Sequence, residues 1–241
     1  MNAEQSAQPL PEPREVHVPA AGVGLEGALA LPENAKGIVL FAHGSGSSRH
    51  SPRNRYVAEI LQRAGLGTLL MDLLTQDEDT IDQQTRHLRF DIGLLAERLV
   101  GAIDWLNSQP ETRGMPIGLF GASTGAAAAL RAAAARPDLV RAVVSRGGRP
   151  DLAGAALEQV QAPTLLIVGA DDAPVIPLNR GAFDRLRAPR QMTLVPGATH
   201  LFEEPGTLAA ASALARDWFQ QYLAPGANEM TGTVREREHS G

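Results

Sequence analysis

Short apolar runs separated by amphipathic stretches cover most of this chain. Uninterrupted apolar runs are typical of strands that a parallel sheet buries on both faces. Residues 14–31 instead hold two shorter β-like runs around Ala20-Ala21-Gly22, which predicts a hairpin. The predicted buried strands are residues 37–42, 67–71, 115–120, 140–145 and 163–168, followed by a more polar strand at 191–195.

Helical patterns fill several of the intervals between these strands. Because strands alternate with helices, the sequence predicts an α/β fold with a doubly wound, mostly parallel sheet. The acidic run at residues 77–79 has no partner that would suggest chemistry, and we predict a solvated loop there. The predicted helices are residues 55–64 and 88–107, where apolar residues recur at i, i+3 and i+4, the alanine-rich stretch 123–135, and residues 207–222.

Composition is consistent with one folded domain that has polar ends. The chain has 241 residues, of which 44% are hydrophobic, and this is enough for a buried core. No interval leaves room for a separate lid, so we expect a single α/β domain over residues 14–224. Residues 1–13 and 225–241 are polar, and we expect both to be disordered.

Charge and residue usage exclude several classes of function. The net charge is −5 and no basic run occurs, which argues against nucleic acid or an anionic membrane surface as a partner. The absence of cysteine excludes disulfides, thiolate metal sites and a cysteine nucleophile. No apolar stretch reaches the roughly 18 residues of a membrane span. The first residues lack the features of a secretory signal, so we expect a cytoplasmic protein.

The motif G-x-S-x-G stands where a predicted strand ends and a predicted helix begins. It reads Gly121-Ala122-Ser123-Thr124-Gly125 and follows the apolar run at residues 115–120. Strand, sharp turn and helix are the context of a nucleophile elbow, in which the serine hydroxyl is exposed above the sheet. The alternative is a serine that only caps the following helix. The motif therefore makes Ser123 a candidate nucleophile.

Candidate partners for Ser123 follow other predicted strands. The loop His43-Gly44-Ser45-Gly46 follows the first buried strand. Asp171 and Asp172 follow the strand at 163–168, and His200 follows the last strand. Because the carboxyl ends of parallel strands meet at one edge of a sheet, we expect these residues to lie close together. Serine, aspartate and histidine in this chain order are typical of an α/β-hydrolase triad.

Each of these residue types has a role in attack by a serine hydroxyl. The hydroxyl is a weak nucleophile at neutral pH, and His200 is the candidate base that accepts its proton. A buried carboxylate holds such an imidazole in the required tautomer, and we prefer Asp172 over Asp171 for this role. The developing oxyanion needs N–H donors, which we expect from Thr124 and from Ser45.

For other polar residues near these strand ends, the sequence gives weaker evidence of a functional role. Arg146 leaves the strand at 140–145 at the same edge, where it would either contact an anionic substrate group or hold its own loop. His43 is a second candidate substrate contact, although we expect a structural, hydrogen-bonding role for it. No spacing predicts a metal site. The residues that would either line the cleft or solvate the start of a helix are Arg49, His50, Arg53 and Asn54.

Taken together, these motifs resemble the α/β-hydrolase superfamily, and within it the small, lidless group that is similar to dienelactone hydrolases. Dienelactone hydrolases proper carry cysteine in the elbow, where this chain has Ser123. The resemblance therefore implies serine esterase chemistry without a metal or cofactor. The segment 145–152 looks like a feature of a subgroup. The resemblance spans residues 14–223 and rests on the segments 41–46, 121–125, 168–172 and 197–200.

The sequence thus predicts a serine carboxylic-ester hydrolase that forms an acyl-enzyme on Ser123. Small esters with short acyl chains are the expected substrates, because no apolar lid segment is visible. The same triad can serve a thioesterase, an acyltransferase or a serine peptidase, and the fold can serve a non-catalytic binding module. A haloalkane dehalogenase is disfavoured because it needs a carboxylate at position 123. The sequence leaves open whether the protein is a monomer or a homodimer.

Overall fold

The computed structural model describes residues 9–224, which form eight strands and six α-helices. Residues 9–13 have no regular secondary structure. The rest of the predicted disordered ends, residues 1–8 and 225–241, lies outside the described residues. The elements are β1 (Arg14–Ala20), β2 (Val23–Ala30), β3 (Ile38–Ala42), α1 (Pro52–Arg63), β4 (Gly67–Met71), α2 (Gln76–Thr85), α3 (Ile92–Ser108), β5 (Ile117–Ala122), α4 (Thr124–Ala135), β6 (Val140–Arg146), β7 (Thr164–Gly169), α5 (Ile176–Arg185), β8 (Arg190–Val195) and α6 (Thr207–Leu223).

The strands form one mostly parallel sheet in the order β1-β2-β4-β3-β5-β6-β7-β8. β1 and β2 make an antiparallel hairpin, β2 pairs antiparallel with β4, and the remaining pairs are parallel. Ala21 and Gly22 form the hairpin turn with φ values of 47° and 80°. Two positive φ values give the turn a twist that matches the twist of the flanking strands. The predicted α/β fold and the predicted hairpin are therefore confirmed.

Apolar side chains cover both faces of the sheet. β3, β4, β5 and β7 are buried along their whole length, as their continuous apolar runs predict. One apolar cluster packs α3 and α4 on the first face, and a second packs α1 and α6 on the other. The small alanine side chains of α4 allow this helix to lie close to the sheet behind β5. No helix within residues 9–224 is both long and apolar enough to cross a membrane.

The structure corrects the sequence prediction around α2 and α3. Residues 77–79, predicted to be a solvated loop, lie in α2. A capping box begins this helix, because the Glu78 N–H donates to Thr75 Oγ1 at 3.2 Å and the Thr75 N–H donates to Glu78 Oε2 at 2.8 Å. The predicted helix at 88–107 begins later, at Ile92, where Asp91 accepts a hydrogen bond from the Leu94 N–H. α5 was not predicted at all.

Candidate active site

The G-x-S-x-G motif forms a strained turn between β5 and α4. Ser123 has φ 51° and ψ −124°, a conformation that non-glycine residues adopt only where the surrounding structure imposes it. A Cβ on Gly121 would lie 2.4 Å from the Ala126 Cα, and one on Gly125 would lie 2.2 Å from the Ala42 carbonyl oxygen. The side chain of Ser123 does not cap α4. The residue thus has the conformation of a nucleophile elbow and not the role of a helix cap.

Ser123, His200 and Asp172 form a continuous chain of hydrogen bonds. His200 Nε2 lies 3.3 Å from Ser123 Oγ, and His200 Nδ1 lies 2.7 Å from Asp172 Oδ2. An ionised carboxylate can only accept, so the Nδ1–H donates to Asp172 and leaves Nε2 free to accept from the serine hydroxyl. The Asp172 side chain is 8% exposed and that of His200 is 36% exposed. The imidazole is thus accessible from solvent, while the carboxylate in contact with it is shielded.

The structure separates the two neighbouring aspartates. Asp172 contacts His200, whereas Asp171 is exposed and its side chain contacts no partner among the described residues. The Asp171 N–H donates to the Ala198 carbonyl at 3.0 Å, which ties the turn after β7 to the segment that carries His200. Asp171 therefore contributes its backbone to the site, and the side chain in contact with the imidazole is the one preferred from the sequence.

The loop that carries His200 is held by its own side chains. Glu204 accepts from the Thr199 N–H at 3.1 Å and from Thr199 Oγ1 at 2.5 Å. These bonds, of which that from the Thr199 hydroxyl is the largest cause, lower the pKa of Glu204. Phe202 is buried and has φ 57°, a conformation that turns the chain sharply after His200. These contacts fix the segment on both sides of the imidazole.

The two expected oxyanion donors are linked to each other. The Thr124 N–H is the first of α4 and has no acceptor among the described residues, as is usual for the first turn of a helix. The Ser45 N–H donates to Thr124 Oγ1 at 3.1 Å, and the two hydroxyl oxygens lie 2.9 Å apart. In this structure the Thr124 hydroxyl therefore accepts the hydrogen bond of the Ser45 N–H, the second expected oxyanion donor.

His43 connects the loop after β3 to the segment after β4. Its Nδ1–H donates to the Gly44 carbonyl at 3.0 Å, and its Nε2 accepts from the Leu73 N–H at 3.1 Å. Burial lowers the pKa of His43, which favours the neutral ring that this pattern requires. Both ring nitrogens are used within the protein, so His43 has none left for a substrate and is a structural residue of the loop.

A cavity of about 840 Å³ lies beside the same loop. Its walls are residues 43–52, residues 72–76 and the facing side of α2. Arg49, which lines it, donates from its backbone N–H to Asp72 Oδ1 at 2.7 Å and forms an ion pair with the same carboxylate. Ser45 lines this cavity and is also hydrogen-bonded to Thr124. The sequence does not predict this wall of the cavity, because the acidic run in α2 favours a solvated loop.

The remaining candidates lie at the start of α1 and at the end of β6. His50 lines the cavity, and its Nδ1 accepts from the Arg55 guanidinium at 2.6 Å. Arg53 pairs with Glu203 at 2.9 Å, and the Asn54 N–H donates to the capping Ser51 Oγ at 3.3 Å. Arg146 is buried next to the residues that follow His200, and its Nη1 donates to the Leu201 carbonyl at 3.4 Å.

Comparison with known proteins reveals similarity over nearly the whole described chain. Residues 25–223 match the dienelactone hydrolase family. A solved dienelactone hydrolase from Anabaena variabilis is 61% identical, with a TM-score of 0.87 over 89% of this chain and 99% of that one. Est1E from Butyrivibrio proteoclasticus is only 14% identical but shares the fold, with a TM-score of 0.71 over 86% of this chain and 98% of that one.

Similarity to longer proteins was also found. Two Mycobacterium tuberculosis proteins from different strains, both named "putative phosphoribosyl transferase", are 56% identical over 220 residues. The match covers 91% of this chain and 49% of each relative. The chain therefore spans about half the length of the curated relatives it matches.

Proposed function

Because this chain belongs to the dienelactone hydrolase family, we propose that it is a serine carboxylic-ester hydrolase. In this proposal Ser123 is the nucleophile, His200 is the general base and Asp172 is the carboxylate that orients the imidazole. The observation that carries the proposal is the pair of contacts from His200, 3.3 Å to Ser123 Oγ and 2.7 Å to Asp172 Oδ2. A serine on a strained elbow, hydrogen-bonded to an oriented imidazole, is the arrangement that activates a hydroxyl for acyl transfer.

The reaction proceeds in two steps that use the same imidazole. Ser123 Oγ attacks the ester carbonyl carbon while His200 Nε2 takes the hydroxyl proton. The tetrahedral intermediate then expels the alcohol oxygen, which receives that proton from His200, and an acyl-enzyme remains on Ser123. Water repeats the sequence: His200 takes its proton, the hydroxide adds to the acyl carbon, and the acid leaves as Ser123 Oγ regains a proton. Asp172 stabilises the imidazolium in both steps.

The oxyanion forms next to the Thr124 and Ser45 amides. The Thr124 N–H is available at the start of α4, where the helix dipole also favours negative charge. The Ser45 N–H donates a hydrogen bond to Thr124 Oγ1 at 3.1 Å. In the proposed reaction the substrate oxygen replaces Thr124 Oγ1 as acceptor for this N–H.

The substrate class that fits this site best is a small ester with a short acyl chain. The cavity of about 840 Å³ is lined by Ser45 but not by Ser123, Asp172 or His200, and it is of the size that small-molecule sites usually have. Serine, threonine, glutamine and charged side chains supply much of its lining, which favours small, polar groups over a long alkyl chain. The phosphoribosyl transferase name belongs to relatives of which this chain covers only 49%, so it supports no substrate for this chain.

A matched set of butyryl compounds tests the reaction class. We expect 4-nitrophenyl butyrate to be hydrolysed with a kcat/KM at least about tenfold above a butyryl thioester and far above butyryl 4-nitroanilide, because an activated ester needs the least leaving-group protonation. Longer 4-nitrophenyl esters should be hydrolysed more slowly. A thioester or anilide preferred over the ester would favour a thioesterase or a peptidase. A folded protein that hydrolyses none of them would favour a binding module.

A further inference from the structure

The loop that carries Ser45 lies directly against the proposed nucleophile. A Cβ on Gly44 would lie 3.0 Å from the Ser123 Cβ, so the two backbones approach closely at this point. His43 fixes the start of the loop through its hydrogen bonds with the Gly44 carbonyl and the Leu73 N–H. The Ser45 amide follows Gly44 in the chain and therefore lies next to the residue that would attack the ester. Its orientation depends on the contacts that hold Ser45.

Hydrogen bonds hold Ser45 from two sides. Its N–H donates to Thr124 Oγ1 at 3.1 Å, and its hydroxyl donates to the Arg89 carbonyl at 3.3 Å, because a carbonyl oxygen can only accept. The Thr124 hydroxyl then donates to Ser45 Oγ, 2.9 Å away, which is the one assignment that makes all three contacts hydrogen bonds. The contact with Arg89 does not involve the Ser45 N–H. A substrate oxygen that accepts from this N–H therefore does not compete with it.

A buried carboxylate fixes Arg89. Asp82, in α2, is 1% exposed, and its Oδ1 accepts from the N–H groups of Leu88 at 2.8 Å and of Arg89 at 3.1 Å. Its Oδ2 forms an ion pair with Arg89 Nε, and Arg89 Nη2 donates to the Asp82 carbonyl at 3.2 Å. Both the backbone and the side chain of Arg89 are thus attached to Asp82. These contacts determine the direction in which the Arg89 carbonyl points.

The Arg89 side chain also packs against the loop. A Cβ on Gly46 would lie 3.1 Å from Arg89 Nη1, so the guanidinium lies close to the residue that follows Ser45. Gly46 has φ 70°, a conformation that glycine adopts without a steric penalty. All of these residues, together with Asp82, line the cavity of about 840 Å³. Arg89 therefore links α2 to the loop through its carbonyl and through its guanidinium.

These contacts form a chain from α2 to a proposed oxyanion donor. We propose that Asp82 and Arg89 are positioning residues, which hold Ser45 so that its N–H faces the carbonyl oxygen of the ester during attack by Ser123. The proposal rests on the proposed ester hydrolase function and adds two residues outside the triad to it. Donors stabilise an oxyanion most when they are oriented before the reaction begins. A misdirected N–H should therefore affect the transition state more than the bound ester.

Steady-state kinetics of single variants test the size of this effect. Asp82→Asn leaves one oxygen for the two backbone N–H groups but turns an NH₂ group toward the Arg89 guanidinium, which also donates. It should lower both kcat and kcat/KM for 4-nitrophenyl butyrate by about ten- to a hundredfold and leave KM within about threefold. Arg89→Met should have a similar effect. Asp77→Asn is the matched control, since it changes an exposed carboxylate of the same helix, and it should stay within about twofold of wild type.

A double-mutant cycle shows whether the effect passes through Ser45. Ser45→Ala removes the hydroxyl that donates to the Arg89 carbonyl and should itself lower kcat/KM by about tenfold. In the Ser45→Ala protein, Asp82→Asn should lower kcat/KM further by less than about threefold, because the contact through which it acts is already absent. A purely structural role of Asp82 would instead make the two effects multiply.

Butylboronic acid tests the same donor with an analogue of the tetrahedral intermediate. The boron bonds to Ser123 Oγ, whose proton passes to His200, and the adduct carries an oxygen where the oxyanion forms. Asp82→Asn should weaken inhibition by this acid by about the same factor as it lowers kcat/KM. Inhibition by butyramide, a trigonal analogue of the bound ester, should change by less than about threefold.

Several outcomes would overturn the positioning role while the hydrolase proposal stands. Asp82→Asn and Arg89→Met proteins that both keep the wild-type kcat/KM contradict it, as do effects that multiply with that of Ser45→Ala or that change only KM. If Asp82→Asn does not fold, Arg89→Met decides the matter, because its side chain is 19% exposed and its loss leaves the carboxylate with two N–H donors. Wild-type protein that hydrolyses no ester contradicts the hydrolase proposal itself, and the positioning role fails with it.

Discussion

Ser123→Ala is expected to lower kcat/KM for 4-nitrophenyl butyrate by about 10⁴-fold or more, which is the usual effect of removing a serine nucleophile from a triad. The substitution removes the atom that lies 3.3 Å from His200 Nε2 and leaves the fold intact, because alanine is smaller and needs no hydrogen bond. The residual rate should come from substrate binding and from the oxyanion donors. Steady-state kinetics with a melting curve for each protein provide the measurement.

Ser108→Ala is the control for this substitution. Ser108 is an exposed serine at the end of α3, and its loss should change kcat/KM by less than about twofold, as is usual for surface substitutions. A Ser123→Ala protein that folds normally and retains a rate within about tenfold of wild type would contradict the assignment of Ser123 as nucleophile.

The neighbouring aspartates allow a second large effect to be measured against a matched control. Asp172→Asn should lower kcat/KM by about 10⁴-fold, because an amide opposite His200 Nδ1 favours the wrong imidazole tautomer and cannot stabilise the imidazolium. Asp171→Asn makes the same chemical change one residue earlier, in an exposed side chain for which residues 9–224 supply no hydrogen-bond or ion-pair partner. It should change kcat/KM by less than about threefold. Equal effects of the two substitutions would mean that the 2.7 Å contact between Asp172 and His200 is not used in catalysis.

The sheet could be predicted from the sequence because its signal is local. Buried parallel strands are continuous apolar runs, and β3, β4, β5 and β7 each overlap a run of that kind. α2 could not be predicted from periodicity, since its one apolar residue, Ile81, is 52% exposed. The helix begins at a capping box and buries only the Asp82 side chain, which pairs with Arg89. Such a helix depends on polar contacts, and apolar patterning does not report them.

The proposed catalytic residues were identified from the sequence because topology brings them together. The carboxyl ends of parallel strands share one edge of the sheet. The residues after β5 and β7 and the loop after β8 therefore lie close together in any parallel sheet that contains these strands as neighbours. The state of the Ser45 amide was not predictable in this way. Its acceptor, Thr124 Oγ1, lies on another loop, and the choice between a free and an occupied N–H depends on side-chain geometry.

That Arg146 has no acidic partner within residues 9–224 was likewise not visible in the sequence. The pattern showed only that an arginine leaves β6 at the catalytic edge, next to Arg149 and Asp151. In the structure, Asp151 pairs with Arg149 at 2.8 Å. The acidic residue closest to Arg146 in the sequence therefore forms an ion pair with a different arginine. Which of several arginines lacks a partner depends on side-chain rotamers, and these emerge only from the packed structure.

Covalent labelling at Ser123 tests the central claim most directly. Wild-type protein treated with a fluorophosphonate, digested with trypsin and analysed by tandem mass spectrometry should carry one adduct, on the peptide 114–131 and at Ser123 within it. Ser123→Ala should carry none, and Ser108→Ala should be labelled like wild type, because only an activated serine reacts with the probe. An active protein that is labelled at a different residue, or that stays unlabelled at Ser123 while it hydrolyses 4-nitrophenyl butyrate, would contradict the account.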